Sequence, residues 1–130
     1  MIYLDSSALA KLVMTELESP ALSQWLAERP DLIRVSSSII RAEVPRAVCR
    51  RDATALSECY QVIRRLRQVR LTEAVLARAG TARPFTMRAL DAIHLASALT
   101  IRQELTAFVC YDKRLLAAAR EAGLPTASPA

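Results

Sequence analysis

Four acidic residues fall at positions where a chain can do chemistry: Asp5 after "MIYL", Glu43 in "RAEVPRA", Asp91 in "LDAIHLASAL" and Asp112 in "FVCYD". Taken singly, each has a plainer use. Asp5 and Asp112 can cap helices, Glu43 can pair with Arg46 three residues on, and Asp91 can pair with Arg88 three residues before. Taken together they raise a different chemistry. Carboxylates brought close repel one another and raise each other's pKa values. A hard divalent cation resolves that conflict, and oxygen-only donors select Mg²⁺ or Mn²⁺ over zinc. Beside a phosphate ester such an ion lowers the pKa of a water and stabilises the leaving oxygen.

The elements that would carry these acids can be read from apolar runs and their punctuation. "MIYL" reads as a buried strand ending at Asp5, followed by a helix through "SALAKLV" with Ser6 as its cap. "SPALSQWLAERP" reads as a helix capped by Ser19, with Pro20 at its first position and Pro30 after its end. "LIRVS" reads as a strand and "SSIIRAEVPRAVCRRD" as a helix capped by Ser37 or Ser38, in which Pro45 makes a kink or removes a hydrogen bond. "ATALSECYQVIRRLRQV" and "EAVLARAG" read as two further helices. "TMRALDAIHLASALTIRQEL" is a long buried helix with Thr86 as cap, "TAFVCY" a strand running into Asp112, and "KRLLAAAREAG" a helix closed by Gly123. Short strands alternating with helices predict an α/β fold, a parallel sheet covered on both faces. In such sheets ligands bind beyond the carboxyl ends of the strands, the edge to which Asp5, Asp112 and Glu43 are all brought. Asp91 lies about a turn past Thr86, too deep to cap its helix. A helix apolar on nearly every side is a buried one, where an unpaired carboxylate is costly. Asp91 is therefore expected to be buried as a metal ligand.

Composition bounds the reading. The chain of 130 residues suits one domain, with residues 124–130 as either a final strand or a frayed tail. Half its residues are apolar and few are aromatic, so the core is aliphatic. No apolar run reaches the roughly 18 residues of a membrane span. The start of the chain lacks the basic region of a signal peptide, which makes the cytoplasm the expected location. Cys49, Cys59 and Cys110 are odd in number and form no CxxC pair, as expected of reduced, mostly buried thiols. The net charge of +5 is concentrated: nine arginines face only three acids between Arg34 and Arg70, leaving the remainder of the chain near neutral. A basic middle third attracts a polyanion. Acids for a metal and a basic flank for a phosphate backbone together describe metal-dependent phosphodiester hydrolysis. The reading from another class is a non-catalytic basic α/β module that binds nucleic acid or a protein.

Asp91, His94 and Ser97 also stand three apart, like a nucleophilic triad laid along one helix. A nucleophilic serine needs an exposed turn and an oxyanion hole, and Ser97 lies in mid-helix between Ala96 and Ala98. His94 is instead expected to be a structural residue whose ring hydrogen-bonds nearby.

These same stretches resemble the PIN domain and, within it, the VapC-type toxin ribonucleases of bacterial toxin–antitoxin pairs. "YLDSSALAKL" is similar to the family's opening strand and turn, "RAEVPRA" to its Ala-Glu helix, "LDAIHLASAL" to its Leu-Asp-Ala-Ile-His-Leu-Ala helix, and "YDKRL" to its last acidic motif. The likeness runs from Ile2 to about Leu124. It implies a three-layer α/β/α sandwich with a short central parallel sheet. It also implies an acidic pocket of Asp5, Glu43, Asp91 and Asp112. In that pocket Asp5 and Asp91 are the principal metal ligands, Glu43 and Asp112 complete the pocket or hold water, and Ser7 orients Asp5. Further implications are Mg²⁺ or Mn²⁺ as cofactor, RNA as substrate, a homodimer, and a VapB-type antitoxin whose C-terminal segment blocks the pocket. Arg46, Arg50 and Arg51, from the basic stretch, are the candidate nucleic-acid contacts. Two positions depart from the family pattern: Pro45 stands where a helix former is usual, and Cys110 where Ser or Thr is common.

Overall fold

Ile2, Tyr3 and Leu4 are each wholly shielded from solvent, which a strand can be only when both faces of its sheet are covered. A computed structural model describing residues 1–130 shows how. Strand β1 (Ile2–Leu4) leads into helix α1 (Ser6–Val13), then α2 (Ser19–Ala27), β2 (Arg34–Ser37) and α3 (Ile40–Arg51). A short 3₁₀ turn (Ala53–Ala55), α4 (Leu56–Arg64), β3 (Arg67–Val69) and α5 (Glu73–Gly80) follow. The chain ends with α6 (Ala89–Thr100), β4 (Ala107–Val109), α7 (Lys113–Glu121) and β5 (Thr126–Ala127).

All five strands are parallel, in the order β3-β2-β1-β4-β5. Strand alternation sorts the core into two halves. Ile2 and Leu4 join Leu9, Leu22, Ile40 and Val44 under α1–α4, whereas Tyr3 joins Leu95, Phe108 and Leu115 under the helices of the opposite face. The result is the expected three-layer α/β/α sandwich. No helix is long and apolar enough to cross a membrane.

Four of the expected caps are placed differently. Asp5, not Ser6, caps α1, its side chain accepting from the Ala8 N–H. Ser19 is already inside α2, where its hydroxyl accepts from the Glu16 N–H and donates to the Met14 carbonyl. Thr86 lies short of α6, whose cap position is Arg88. Ser37, one of the two serines proposed to cap α3, instead receives the Ile39 N–H in the turn before that helix. Pro45 lies inside α3 without breaking it; having no N–H, it leaves the Arg41 carbonyl without its helical donor.

The helix expected over "ATALSECYQVIRRLRQV" is the largest difference. It ends at Arg64, and Arg67–Val69 becomes edge strand β3, with Arg67 opposite Val35 and Val69 opposite Ser37. Leu66 and Val69 suit a helical spacing equally well, so the run gives no local signal of the change. Exposed Arg67 suits an edge, where charge discourages pairing with another chain. The C-terminal residues form a strand: Ser128 Oγ donates to the Cys110 carbonyl and Tyr111 Oη to the Pro129 carbonyl, each at 2.6 Å.

Gly123 closes α7 with φ of +83°, and a Cβ there would meet only the Arg102 side chain at an ordinary 3.5 Å. The position is therefore restricted by backbone conformation and not by space. Gly123→Ala is expected to destabilise the fold by about 1–2 kcal/mol, seen as a lower urea midpoint with an unchanged slope.

Candidate active site

Asp5 is held by two donors. Its Oδ1 accepts from the Ala8 N–H at 2.9 Å and the Ser7 hydroxyl at 2.7 Å. Ser7 in turn accepts from the Tyr111 N–H at 2.9 Å, so one hydroxyl fastens the carboxylate after β1 to the segment after β4. Asp5 is 2 % exposed and has no basic side chain bonded to it. Burial pushes its carboxyl above the ordinary range, against the opposing effects of His94 and the hydrogen bonds from Ser7 and Ala8. Beside it, burial and the Asp5 charge push the Cys110 thiol up. That thiol stays protonated and offers no soft thiolate donor.

Asp112 caps α7, its Oδ1 accepting from the N–H groups of Arg114 and Leu115, each at 2.9 Å. Its Oδ2 faces Arg88 Nη2 at 3.5 Å, while Arg88 Nε reaches Asp91 Oδ2 at 3.2 Å. One guanidinium thus spans two carboxylates brought from different helices. The three residues share a cleft of about 270 Å³ with Thr86, Met87 and Arg114. Asp91 was expected to be buried, but its side chain is 17 % exposed. The first turn of α6 lies at the rim, and the fully buried face of the helix begins at Ala92 and His94.

Glu43 lies in the first turn of α3 and pairs with His94, its Oε1 2.7 Å from Nε2, and not with Arg46. The opposite ring nitrogen, Nδ1, is 2.8 Å from Tyr3 Oη. A carboxylate only accepts, so Nε2 carries the hydrogen toward Glu43, and in the neutral ring Nδ1 accepts from Tyr3. Burial pushes the Tyr3 hydroxyl's pKa up, which keeps it a donor. Both nitrogens of His94 are therefore used, and Ser97, buried with its hydroxyl unpartnered, cannot form the triad with it. Tyr3 escaped the sequence reading as part of this group. The available signal was two polar tips, Tyr3 and His94, in otherwise apolar elements.

The strand order reverses between β1 and β4, the crevice where open parallel sheets bind ligands. Asp5 follows the first of these strands and Asp112 follows the second. The four acids thus share the carboxyl edge of the sheet, but they are held apart. No three His, Cys, Asp or Glu side chains stand at metal-enclosing distance. The donor chemistry nevertheless fits a hard divalent cation. All the donors are carboxylates, no basic side chain bonds Asp5, and a positive group already spans Asp91 and Asp112.

A second cleft, of about 410 Å³, adjoins this edge and is lined by Ser6, Ser7, Glu43, Arg46, Arg50 and Leu90. Arg46 and Arg50 form no ion pair there. Arg51 differs, since its Nη1 bonds Glu16 at 2.8 Å and it lines neither cleft.

This fold, with acids at the carboxyl edge, defines a known class. Residues 2–121 match the PIN domain, and the chain belongs to the PIN domain family. Its relatives are of the VapC type. The chain is 44% identical over 132 residues to Ribonuclease VapC47 of Mycobacterium tuberculosis, covering 99% of this chain and 97% of that one. It is 41% identical over 128 residues to Ribonuclease VapC46 of the same species, covering 98% and 97%. Among solved structures, Mycobacterium tuberculosis VapC20, a Sarcin-Ricin loop cleaving toxin, superposes with a TM-score of 0.76 at 17% identity, covering 91% of this chain and 95% of that one. FitAcB from Neisseria gonorrhoeae superposes at 0.70 and 17% identity, covering 99% and 98%. These two share the fold.

The raised pKa of Asp5 has a consequence for stability. A carboxyl that binds its proton more tightly when folded stabilises the fold fully below the unfolded pKa, and that contribution is lost as pH rises through the folded pKa. Without metal, Asp5→Asn is therefore expected to raise the urea midpoint at about pH 7, with the gain fading at about pH 4. Denaturation of both proteins in a chelator at the two pH values checks this.

Proposed function

We propose that this protein is a metal-dependent endoribonuclease, the toxin of a VapBC-type toxin–antitoxin pair. The observation that carries the reading is a carboxylate-rich sheet edge, with buried Asp5 bonded to no basic side chain, beside a cleft lined by unpaired arginines. Whole-length relatives named Ribonuclease VapC support the same chemistry.

Asp5, Asp91 and Asp112 would hold Mg²⁺ or Mn²⁺, with Glu43 directly or through water. When bound, the cation supplies positive charge for the phosphoryl oxygens and acidity for a water. The chain's own residues do the rest. Ser7 keeps Asp5 aimed at the crevice. His94, steadied by Tyr3, fixes Glu43 through Oε1 and leaves Oε2 free to accept the proton of the attacking water. Arg46 and Arg50 bind backbone phosphates along the neighbouring cleft. In-line attack then leaves a 5′-phosphate and a 3′-hydroxyl. A VapB-type antitoxin in the cytoplasm, placing an arginine among the carboxylates, would supply positive charge in place of the cation. The active form is a homodimer.

Purified protein is expected to cut total RNA with Mg²⁺ or Mn²⁺ and to stop in EDTA. Asp91→Asn should lower cleavage by about 100-fold or more, of the order expected for a group acting directly in the reaction, while remaining folded. Full activity in folded Asp91→Asn would remove that residue from the site. Cleavage-independent RNA binding by a wild type inert in every metal would instead favour the non-catalytic basic module.

The arginines separate by partner. Arg46→Ala with Arg50→Ala should reduce the slope of log affinity against log salt by about 2, roughly one per lost phosphate contact. Arg51→Ala should leave it unchanged, because Glu16 already holds that guanidinium. Binding titrations at several salt concentrations check both expectations.

A further inference from the structure

Arg88 is an unusual cap for α6. It has extended backbone, makes no side-chain capping bond, and puts a positive charge at the end of a helix whose dipole disfavours cations. Its side chain is 77% exposed, and ion pairs that exposed contribute little to stability. Helix formation and fold stability therefore do not account for it. What it does is span Asp91 Oδ2 at 3.2 Å and Asp112 Oδ2 at 3.5 Å. That is the role assigned above to a divalent cation, and both contacts are long and solvent-accessible.

We propose that Arg88 exchanges partners during the working cycle. It neutralises Asp91 and Asp112 until a divalent cation takes them, and the released guanidinium then binds a phosphate of the RNA at the same cleft. This inference rests on reading the acids as a metal centre. A guanidinium suits both partners, because its planar fork matches carboxylate and phosphate oxygens alike. Exchange requires only side-chain rotation of an exposed arginine, on a backbone fixed by α6. The internal pair lowers apparent metal affinity by the fraction of molecules in which it is closed.

The test has two readouts besides cleavage: Mn²⁺ binding by titration calorimetry, and binding of a single-stranded DNA oligonucleotide as a polyphosphate probe. Arg88→Gln is expected to bind Mn²⁺ about two- to fivefold more tightly than wild type, the range that loss of one exposed ion pair allows. Arg114→Gln is the control for bulk charge, since Arg114 lines the same cleft and its side chain bonds neither acid. It should move Mn²⁺ affinity less. In chelator, wild type and Arg88→Gln should bind the oligonucleotide alike. In saturating Mn²⁺ the wild type should bind it more tightly, with a salt slope steeper by about one, and Arg88→Lys should recover part of that gain.

Equal Mn²⁺ affinity in wild type and Arg88→Gln overturns the exchange while leaving the metal centre standing. So does an equal effect of Arg114→Gln, or an oligonucleotide difference that is the same with and without Mn²⁺. No Mn²⁺ binding by the wild type overturns the metal centre and the exchange with it.

Discussion

At the centre of the sheet, the Asp5 N–H crosses to the Val109 carbonyl at 3.2 Å, continuing a register in which Ile2 faces Ala107 and Leu4 faces Val109. Strands β2 and β3, which follow β1 in the chain, extend the sheet on its side, and β5, which follows β4, extends it on the other. The connecting helices leave from opposite layers, so the crevice at the carboxyl ends cannot be roofed by either connection. Asp5 directly follows β1, and Asp112 follows β4 after Cys110 and Tyr111. Each does double duty as a helix cap. One oxygen of each accepts from backbone N–H groups, joined at Asp5 by the Ser7 hydroxyl, so the cap that starts the helix also aims the carboxylate.

The edge therefore carries more negative charge than a fold selects for stability alone. The protein handles the four acids by three devices. Asp5 is taken out of water and given hydrogen bonds but no cation. Glu43 is tied to His94, and through it to Tyr3 in β1. Asp91 and Asp112 share Arg88. Strand β1 thus governs two of the acids, Asp5 by direct continuation and Glu43 through a hydrogen-bonded chain from the opposite face.

Much of this was legible in the sequence. Buried strands betray themselves by unbroken apolar runs, and "MIYLD" and "FVCYD" announce the same strand-to-helix exit twice. Those two repeats were enough to place a parallel sheet and its acidic edge. The failures have physical causes. Edge strand β3 is three residues long, opens on an exposed arginine and has no buried residue, so its identity comes from pairing with β2 and not from its own residues. The cap positions slipped because serine and threonine can serve turns as well as helix ends, as Ser19 and Ser37 do here. The division of the acids into separately held groups was also hidden. It depends on which carboxylate His94 and Arg88 reach, a matter of tertiary placement that spacing along the chain does not encode.

Helix α6 packs mostly through small side chains: Ala92, Ala96, Ser97 and Ala98 are all buried, with His94 and Leu95 among them. So close a seat leaves no slack between helix and sheet. A larger residue on that face would lift the whole helix, carrying Asp91 and His94 with it, whereas a larger residue at half-exposed Leu90 would leave the helix seated and narrow only the neighbouring cleft that it lines. Tolerance to sequence drift along this one element is therefore graded residue by residue. The chemistry is protected by packing that would be just as strict if the helix carried no acid.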